Sequence, residues 1–358
     1  MSIVAHTRVT RWIVAVVALA ASCGRSAPEA HPAAAPAPAS HPVPTVTLTF
    51  AAFATPREAY EKRIIPKFKD LWRRTHGEQL EIRASYLGSG SQVRAILDGA
   101  EPDVAALSLA EHLDQLAQAG RIRKPWRDAP HGGVVCRSIV VIAVRKGNPE
   151  KIQGWPDLAR PGLEILTPDP MTSGGGRWNV CAVFGSTLRG HAGVAAGDRA
   201  AAERMLASVL GNVIARDRDA RESFKSFEEG TGDVALTTES EVVRGRMFGH
   251  DYESVIPEST LQEDNPAALL DAHADAHGVR AVAEAFLEYL WTPEAQEAFA
   301  FYGFRSIDLA VADAHKEQYP SIPDLWTIED LGGWDRASAE IFGADGVLAR
   351  AMAAQAKK

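Results

Sequence analysis

The stretch Thr172-Ser173-Gly174-Gly175-Gly176-Arg177-Trp178 is where residue type and spacing point most clearly to chemistry. It follows an apolar segment, Leu163 to Leu166, and a turn holding Pro168 and Pro170, and it leads into a run that reads as helix, Arg177 to Leu188. A strand, a hydroxyl–Gly–Gly turn and a helix start in that order aim several backbone N–H groups at one spot. The first turn of a helix has donors without intrahelical partners and a partial positive charge. Glycine lets an anion come close to such a backbone. The chemistry implied is the gripping of an oxyanion.

Three other junctions share the strand–turn–helix order. Val46 to Phe53 reads as a strand, and Thr55-Pro56-Arg57-Glu58 then reads as a capping box, with Tyr60, Ile64, Ile65, Phe68, Leu71 and Trp72 at helical spacing behind it. Leu80 to Tyr86 is a strand ended by Gly88-Ser89-Gly90-Ser91, with a short helix from Gln92 to Leu97. Asn212 to Ile214 is a short strand, followed by the polar run Arg216 to Ser223 and a helix carrying Phe224 and Phe227. Alternating strands and helices of this kind predict open α/β sheets, in which ligands bind where strand ends meet helix starts. Asp103 to Leu107 is a further strand, with Ser108 and Glu111 as a second capping box. Ile139 to Val144 is β-branched enough to lie centrally in a sheet, and Val234 to Thr238 is a strand after which Glu239 begins a helix. Helices are also predicted over Val194 to Leu210, Val279 to Leu290 and Pro293 to Phe301, with a terminal one from Trp334 onward.

Signatures of catalysis are mostly missing. Gly174-Gly175-Gly176-Arg177 lacks the Lys-Ser/Thr ending of a phosphate-binding loop, and the sequence has no HExxH, CxxC or G-x-S-x-G. Ser89 or Ser173 as a nucleophile needs a base, and no histidine is near either in sequence. His273 and His277, four apart, would share a helix face and could hold a metal. Their stretch runs from Asn265–Leu270 to Gly278 and reads instead as an exposed loop. No metal and no cofactor is expected.

The 358 residues carry 38 Lys+Arg against 46 Asp+Glu, a net charge of −8. That length suits about two lobes. The acidic balance argues against nucleic acid, and it requires that any anion be held by local dipoles. At the N-terminus, His6, Arg8 and Arg11 precede the apolar run Trp12 to Ala21, which is too short to remain as a membrane span. Ala20-Ala21-Ser22-Cys23 resembles a bacterial lipobox with Cys23 as the lipidated first residue, although Ala20 stands where Leu is commoner. An ordinary secretory signal cut near Ala21 or Ser22 is the alternative. Either places the protein in the cell envelope, outside the cytoplasm. Residues 24–45, rich in Pro, Ala and Ser, form an extended tether. Cys136 and Cys181 are expected as buried free thiols, with a disulfide as the alternative.

The blocks Thr55-Pro56-Arg57-Glu58, Gly88-Ser89-Gly90, Val144-Arg145-Lys146-Gly147-Asn148-Pro149, Thr167-Pro168-Asp169-Pro170, Ser173-Gly174-Gly175-Gly176-Arg177-Trp178-Asn179, Gly232-Asp233-Val234 and Thr327 to Trp334 resemble the periplasmic sulfate-binding proteins of ABC transporters, over Val46 to Arg350. The resemblance implies a two-lobed type II periplasmic-binding-protein clamshell, an α/β fold with an open sheet in each lobe and the anion between them. It implies a non-enzymatic, monomeric partner of an ABC permease and its ATPase, binding sulfate through backbone amides and hydroxyls.

By position, the resemblance gives Ala54, Ser89, Ser173, Gly174, Gly175 and Ala220 as ligand contacts, with Thr238 where the family has an indole donor. Thr55, Gly88, Asp169, Arg177 and Glu239 form the surrounding layer. Losing the indole removes one bond to a charged ligand, about 1.5–3 kcal/mol. Asp169, where the family commonly has Asn, could accept the proton of hydrogen phosphate. A different tetrahedral oxyanion (thiosulfate, molybdate or phosphate) is therefore an alternative. So are an oxyanion sensor uncoupled from transport and a sulfate- or phosphate-ester hydrolase. The expected organisation is signal 1–23, tether 24–45, first lobe 46–133, second lobe 134–240, return into the first lobe 241–330 and a helical tail 331–358.

Overall fold

The computed structural model describes residues 44–355. The signal, Cys23 and nearly all of the tether lie outside the described residues.

Among the described residues ten strands form the framework: β1 Thr45–Phe53, β2 Gln79–Leu87, β3 Val104–Ala106, β4 Val134–Arg145, β5 Ile165–Leu166, β6 Val213–Ala215, β7 Val234–Thr238, β8 Tyr252–Val255, β9 Ser259–Leu269 and β10 Asp324–Trp326. Their order is β2-β1-β3-β9-β4-β7-β5-β6, with β8 added beside β4 and β10 beside β9. β1 lies parallel between β2 and β3, and β5 lies parallel between β6 and β7. These are the two parallel blocks of two lobes. They are joined by β4 and β9, which pair antiparallel where the lobes meet and each continue into both sides.

Each lobe has its own core. In the first, Phe50 meets Tyr60 and Phe286 edge to face, with centroids 4.8 and 5.2 Å apart. Such aromatic pairs add to the burial of large apolar surface. In the second, Trp155, Trp178, Phe184 and Trp326 are buried together around the helix Gly174–Leu188. Cys136 lies in the first core and Cys181 in the second, both as free thiols. Burial raises the pKa of Cys181 to about 12 and keeps it a neutral thiol.

The structure departs from the sequence reading in several places. Thr55 and Ser108 do not cap helices. Pro56 and Leu109 occupy those N-cap positions, without a side-chain bond. Both hydroxyl residues belong instead to the region where the lobes meet. The His273–His277 stretch is a short helix, Asp271–Ala276. His273 is buried against the Pro102 carbonyl at 2.8 Å, and His277 Nδ1 lies 2.7 Å from Asp103 Oδ1. These contacts tie the helix to the residues just before β3. Among the described residues no cluster of His, Cys, Asp or Glu is arranged to hold a metal.

The return segment 241–330 serves both lobes. β8 pairs with β4, and Tyr252 enters a second-lobe core, as does Trp326 of β10. The tail also belongs to that core, through Trp334, Ile341, Val347 and Leu348. Apolar side chains at these positions are buried wherever a complementary face is open, whatever lobe the chain has just left.

Candidate functional site

The ends of five strands converge on one small cavity. Ala54 and Thr55 follow β1, Gly88 and Ser89 follow β2, Ser173, Gly174 and Gly175 follow β5, and Ala220 follows β6. Thr238 ends β7. The space inside is about 20 Å3, measured to the centre of a water-sized sphere. That is room for something water-sized and far short of a drug-sized ligand.

Helix caps decide which donors face this space. Ser173 Oγ accepts from the Gly176 N–H at 3.4 Å, and Asp219 Oδ1 accepts from the Glu222 N–H at 3.0 Å. Each cap takes the third amide of its helix. The first two amides have no intrahelical acceptor. Those are Gly174 and Gly175 in one helix and Ala220 and Arg221 in the other. Gly174, Gly175 and Ala220 line the cavity. The Ser173 N–H is already given to the Asp169 carbonyl at 2.8 Å, so Ser173 has its hydroxyl to offer.

Close approach requires glycine here. A Cβ on Gly174 would lie 2.7 Å from Cβ and Oγ of Ser108, which follows β3 in the first lobe. A Cβ on Gly88 would lie 2.6 Å from the Thr172 carbonyl oxygen in the second. The lobes therefore touch through bare backbone, and the cleft is shut.

The charged residues around the cavity have an unusual sign. Asp219 and Glu263 are in its lining, and no Lys, Arg or His is. Cations stand one layer back. Arg221 is bonded to the Thr55 carbonyl at 2.7 Å, to Glu241 at 2.8 Å and to Glu58 at 2.5 Å. Arg177 forms an ion pair with Glu111 and lies over the Phe342 ring, outside the cavity. Glu239 is buried and paired with Arg305 at 2.7 Å, also outside it. Asp169 does not reach the cavity; its Oδ1 accepts from the Met171 N–H at 2.8 Å and shapes the turn.

Sequence reasoning missed His112, Arg221, Glu58 and Glu263. His112 is buried, with Nδ1 2.7 Å from Ser89 Oγ. Ser89 Oγ also accepts from the Ser108 N–H at 3.0 Å. Burial lowers the His112 pKa to about 4, with Arg94 adding to the effect, so the ring is neutral. If Nδ1 carries the ring proton, Ser89 Oγ accepts twice and its own proton is left for the cavity. No spacing signal links His112 to Ser89, which is 23 residues away.

Residues 48–305 match the family of bacterial extracellular solute-binding proteins. The chain belongs to that family. It is 38% identical over 303 residues to the sulfate-binding protein of Synechococcus elongatus, covering 84% of this chain and 85% of that one. To the thiosulfate-binding protein of Pseudomonas aeruginosa it is 31% identical over 295 residues, 81% of this chain and 87% of the other. The solved structure of the sulfate-binding protein SubI from Mycobacterium tuberculosis superposes with a TM-score of 0.74 at 31% identity, over 82% of this chain and 98% of that one. This solute-binding protein thus has the two-lobed fold of its family and is a binding protein, not an enzyme. The family is extracellular, so the protein is exported. No helix among the described residues is long and apolar enough to cross a membrane.

Proposed function

We propose that this solute-binding protein captures sulfate, or a close tetrahedral oxyanion such as thiosulfate or molybdate, and hands it to an ABC permease and its ATPase. The observation that carries this reading is the meeting of helix-start amides from both lobes around a cavity with no cation in its wall. Neutral dipoles aimed at one point suit a small anion. Closure removes water, and each donor then acts in a lower dielectric. A lining built of donors suits an anion with no proton to give, since a buried donor left facing a proton is costly.

The contacts assigned are the amides of Ala54, Gly174, Gly175 and Ala220 and the hydroxyls of Ser89 and Ser173. Thr55, Gly88, Arg177 and Glu239 support them. Asp169 is left to the turn it shapes. The protein works as a monomer held at the membrane by lipid on Cys23, with residues 24–45 as tether.

Calorimetric titration of the domain with sulfate, thiosulfate, molybdate and phosphate tests the ligand. Sulfate or thiosulfate is expected to bind best, and a preference for phosphate overturns the assignment. Replacing Cys23 by Ser should release the protein from the membrane fraction; unchanged partitioning removes the lipid anchor.

A further inference from the structure

Glu263 is the least expected member of the cavity wall. It lies on β9 where that strand crosses between lobes, and its register partner on β4 is Ser138. β4 pairs on its other side with β7, matching Val140 to Thr238. Paired residues in antiparallel strands share a face, as do residues two apart along a strand. Glu263, Ser138 and Thr238 therefore project to one side, and Glu263 and Thr238 both line the cavity.

The Thr238 hydroxyl has one proton and three oxygen partners in reach. Ser138 Oγ is 2.5 Å away, Ser240 Oγ is 3.4 Å away, and the Glu263 carboxyl is also in reach. Donating to any of them leaves no proton for a ligand. Glu263 itself is 4% exposed, and its Oε1 is buried without a hydrogen-bond partner. An orphaned carboxyl oxygen beside an anion site is costly as a charge and useful as an acid.

No neighbouring group neutralises it. Glu239, on the helix Glu239–Met247, is paired with Arg305. Asp264, next along β9, is paired with Arg137 of β4 at 2.7 Å. Cys136 of β4 is held as a thiol by burial. Asp219, across the cavity, caps its own helix. Burial therefore raises the Glu263 pKa to about 8, with Glu239 adding to the rise and the Thr238 hydroxyl opposing it.

We propose that Glu263 is a specificity-determining ligand contact, whose protonated carboxyl donates its O–H to one oxygen of the bound dianion, so that the site holds an anion and a proton together. This rests on the oxyanion reading above. The acid supplies the donor that Thr238 does not. The proton comes from solvent and stays on the carboxyl, and the anion remains fully ionised. A site of this kind admits a dianion without any buried cation, because the protein's own negative charge is removed first.

Sulfate does not titrate between pH 6 and 9.5, so its binding reports the protein alone. Its affinity should be level below about pH 8, where Glu263 is already neutral, and should fall by up to about tenfold per pH unit above that. Glu263→Gln should bind several-fold more weakly at pH 6.5, an amide being a weaker donor, and should lose the slope. The same slope in both proteins overturns the inference.

A second measurement does not depend on the variant folding. At pH 8.5, wild-type calorimetry in amine buffers of different ionisation heat should show uptake of between about half and one proton per sulfate. Zero uptake overturns the inference alone. Absence of sulfate, thiosulfate and molybdate binding at pH 6.5 overturns the oxyanion reading and this inference with it. Hydrogen phosphate bound in preference to sulfate, more tightly as pH rises above 8, would mean an ionised Glu263 that accepts, and also overturns it.

Discussion

Arg221 reaches across the cleft to Glu58. Its guanidinium joins the start of a second-lobe helix to the first turn after β1, and it also bonds the Thr55 carbonyl and Glu241. Glu241 is fully buried and Arg244 holds its other oxygen at 3.1 Å, so Arg221 does two things at once: it shares with Arg244 the neutralising of a buried acid within its own lobe, and it latches the other lobe.

The two roles are separable. Glu58→Gln keeps the Arg221–Glu241 pair and weakens only the bridge. Its melting temperature should stay close to wild type, while ligand affinity falls by about tenfold, the loss of one charged hydrogen bond across the closed cleft. Arg221→Ala removes one of the two arginine partners of buried Glu241, leaving Arg244 Nε at 3.1 Å, and should destabilise the fold by about 1.5–3 kcal/mol, the share of a hydrogen bond to a charged group. Calorimetry and thermal melts distinguish the two; equal effects on stability would show that the latch is not a separate element.

Ser173→Ala tests the hydroxyl at the centre of the turn. Affinity should drop by about tenfold or more, the share of one hydrogen bond to a charged group. Stability should fall by about 1 kcal/mol, because the same oxygen caps Gly176. Ser173→Thr keeps the oxygen and should keep most of the stability. An unchanged binding constant in the Ala variant would place the anion elsewhere.

Gly174→Ala should hold the clamshell open. The added methyl meets Ser108 of the other lobe, and separating the lobes relieves the clash without disturbing either core. The expected result is a larger radius of gyration by X-ray scattering, a near-normal melting temperature and at least a hundredfold loss of affinity. A compact variant that binds normally would refute this reading of the contact.

The pH dependence of stability has two opposing parts in the ligand-free protein. His112 has its folded pKa lowered to about 4 from 6.5, so between those values the unfolded chain binds more protons. Its contribution is complete above pH 6.5 and is lost as pH falls towards 4, by up to about 3 kcal/mol. Glu263 has its folded pKa raised to about 8 from 4.5, so it favours the fold below pH 4.5 and disfavours it increasingly up to pH 8. Relative to wild type, Glu263→Gln should therefore melt progressively higher as pH rises from 4.5 to 8. His112→Gln should melt progressively higher as pH falls from 6.5 to 4. Differences independent of pH would mean that neither group titrates differently in the two states.

Much of this molecule could be read along the chain. The Ser-Gly-Gly turn before an apolar helix, the β-branched run of β4 and the glycine-serine corner after β2 are local signals. Local physics governs them, because a helix start has unpaired donors and glycine permits close approach wherever the chain goes. The strand β9 was not legible. Glu263, Asp264, Asn265 and Pro266 interrupt the pattern of a buried strand, and only the junction between lobes accounts for that polarity. The roles of Thr55 and Ser108 are not legible in the sequence for a related reason. A hydroxyl ahead of a helix satisfies a cap pattern in sequence, but here both face the meeting point of the lobes, Ser108 with its Oγ 3.1 Å from Trp178 Nε1.

Sequence alone determined that these helix starts would carry amides without intrahelical partners, since backbone donors and glycine spacing are properties of short segments. Tertiary structure decided what stands among them: His112 behind Ser89, Arg221 across to Glu58, and Glu263 with Thr238. These pairs are 23, 163 and 25 residues apart. Contacts at such separations depend on strand order and on burial, which set charge states that no local pattern carries.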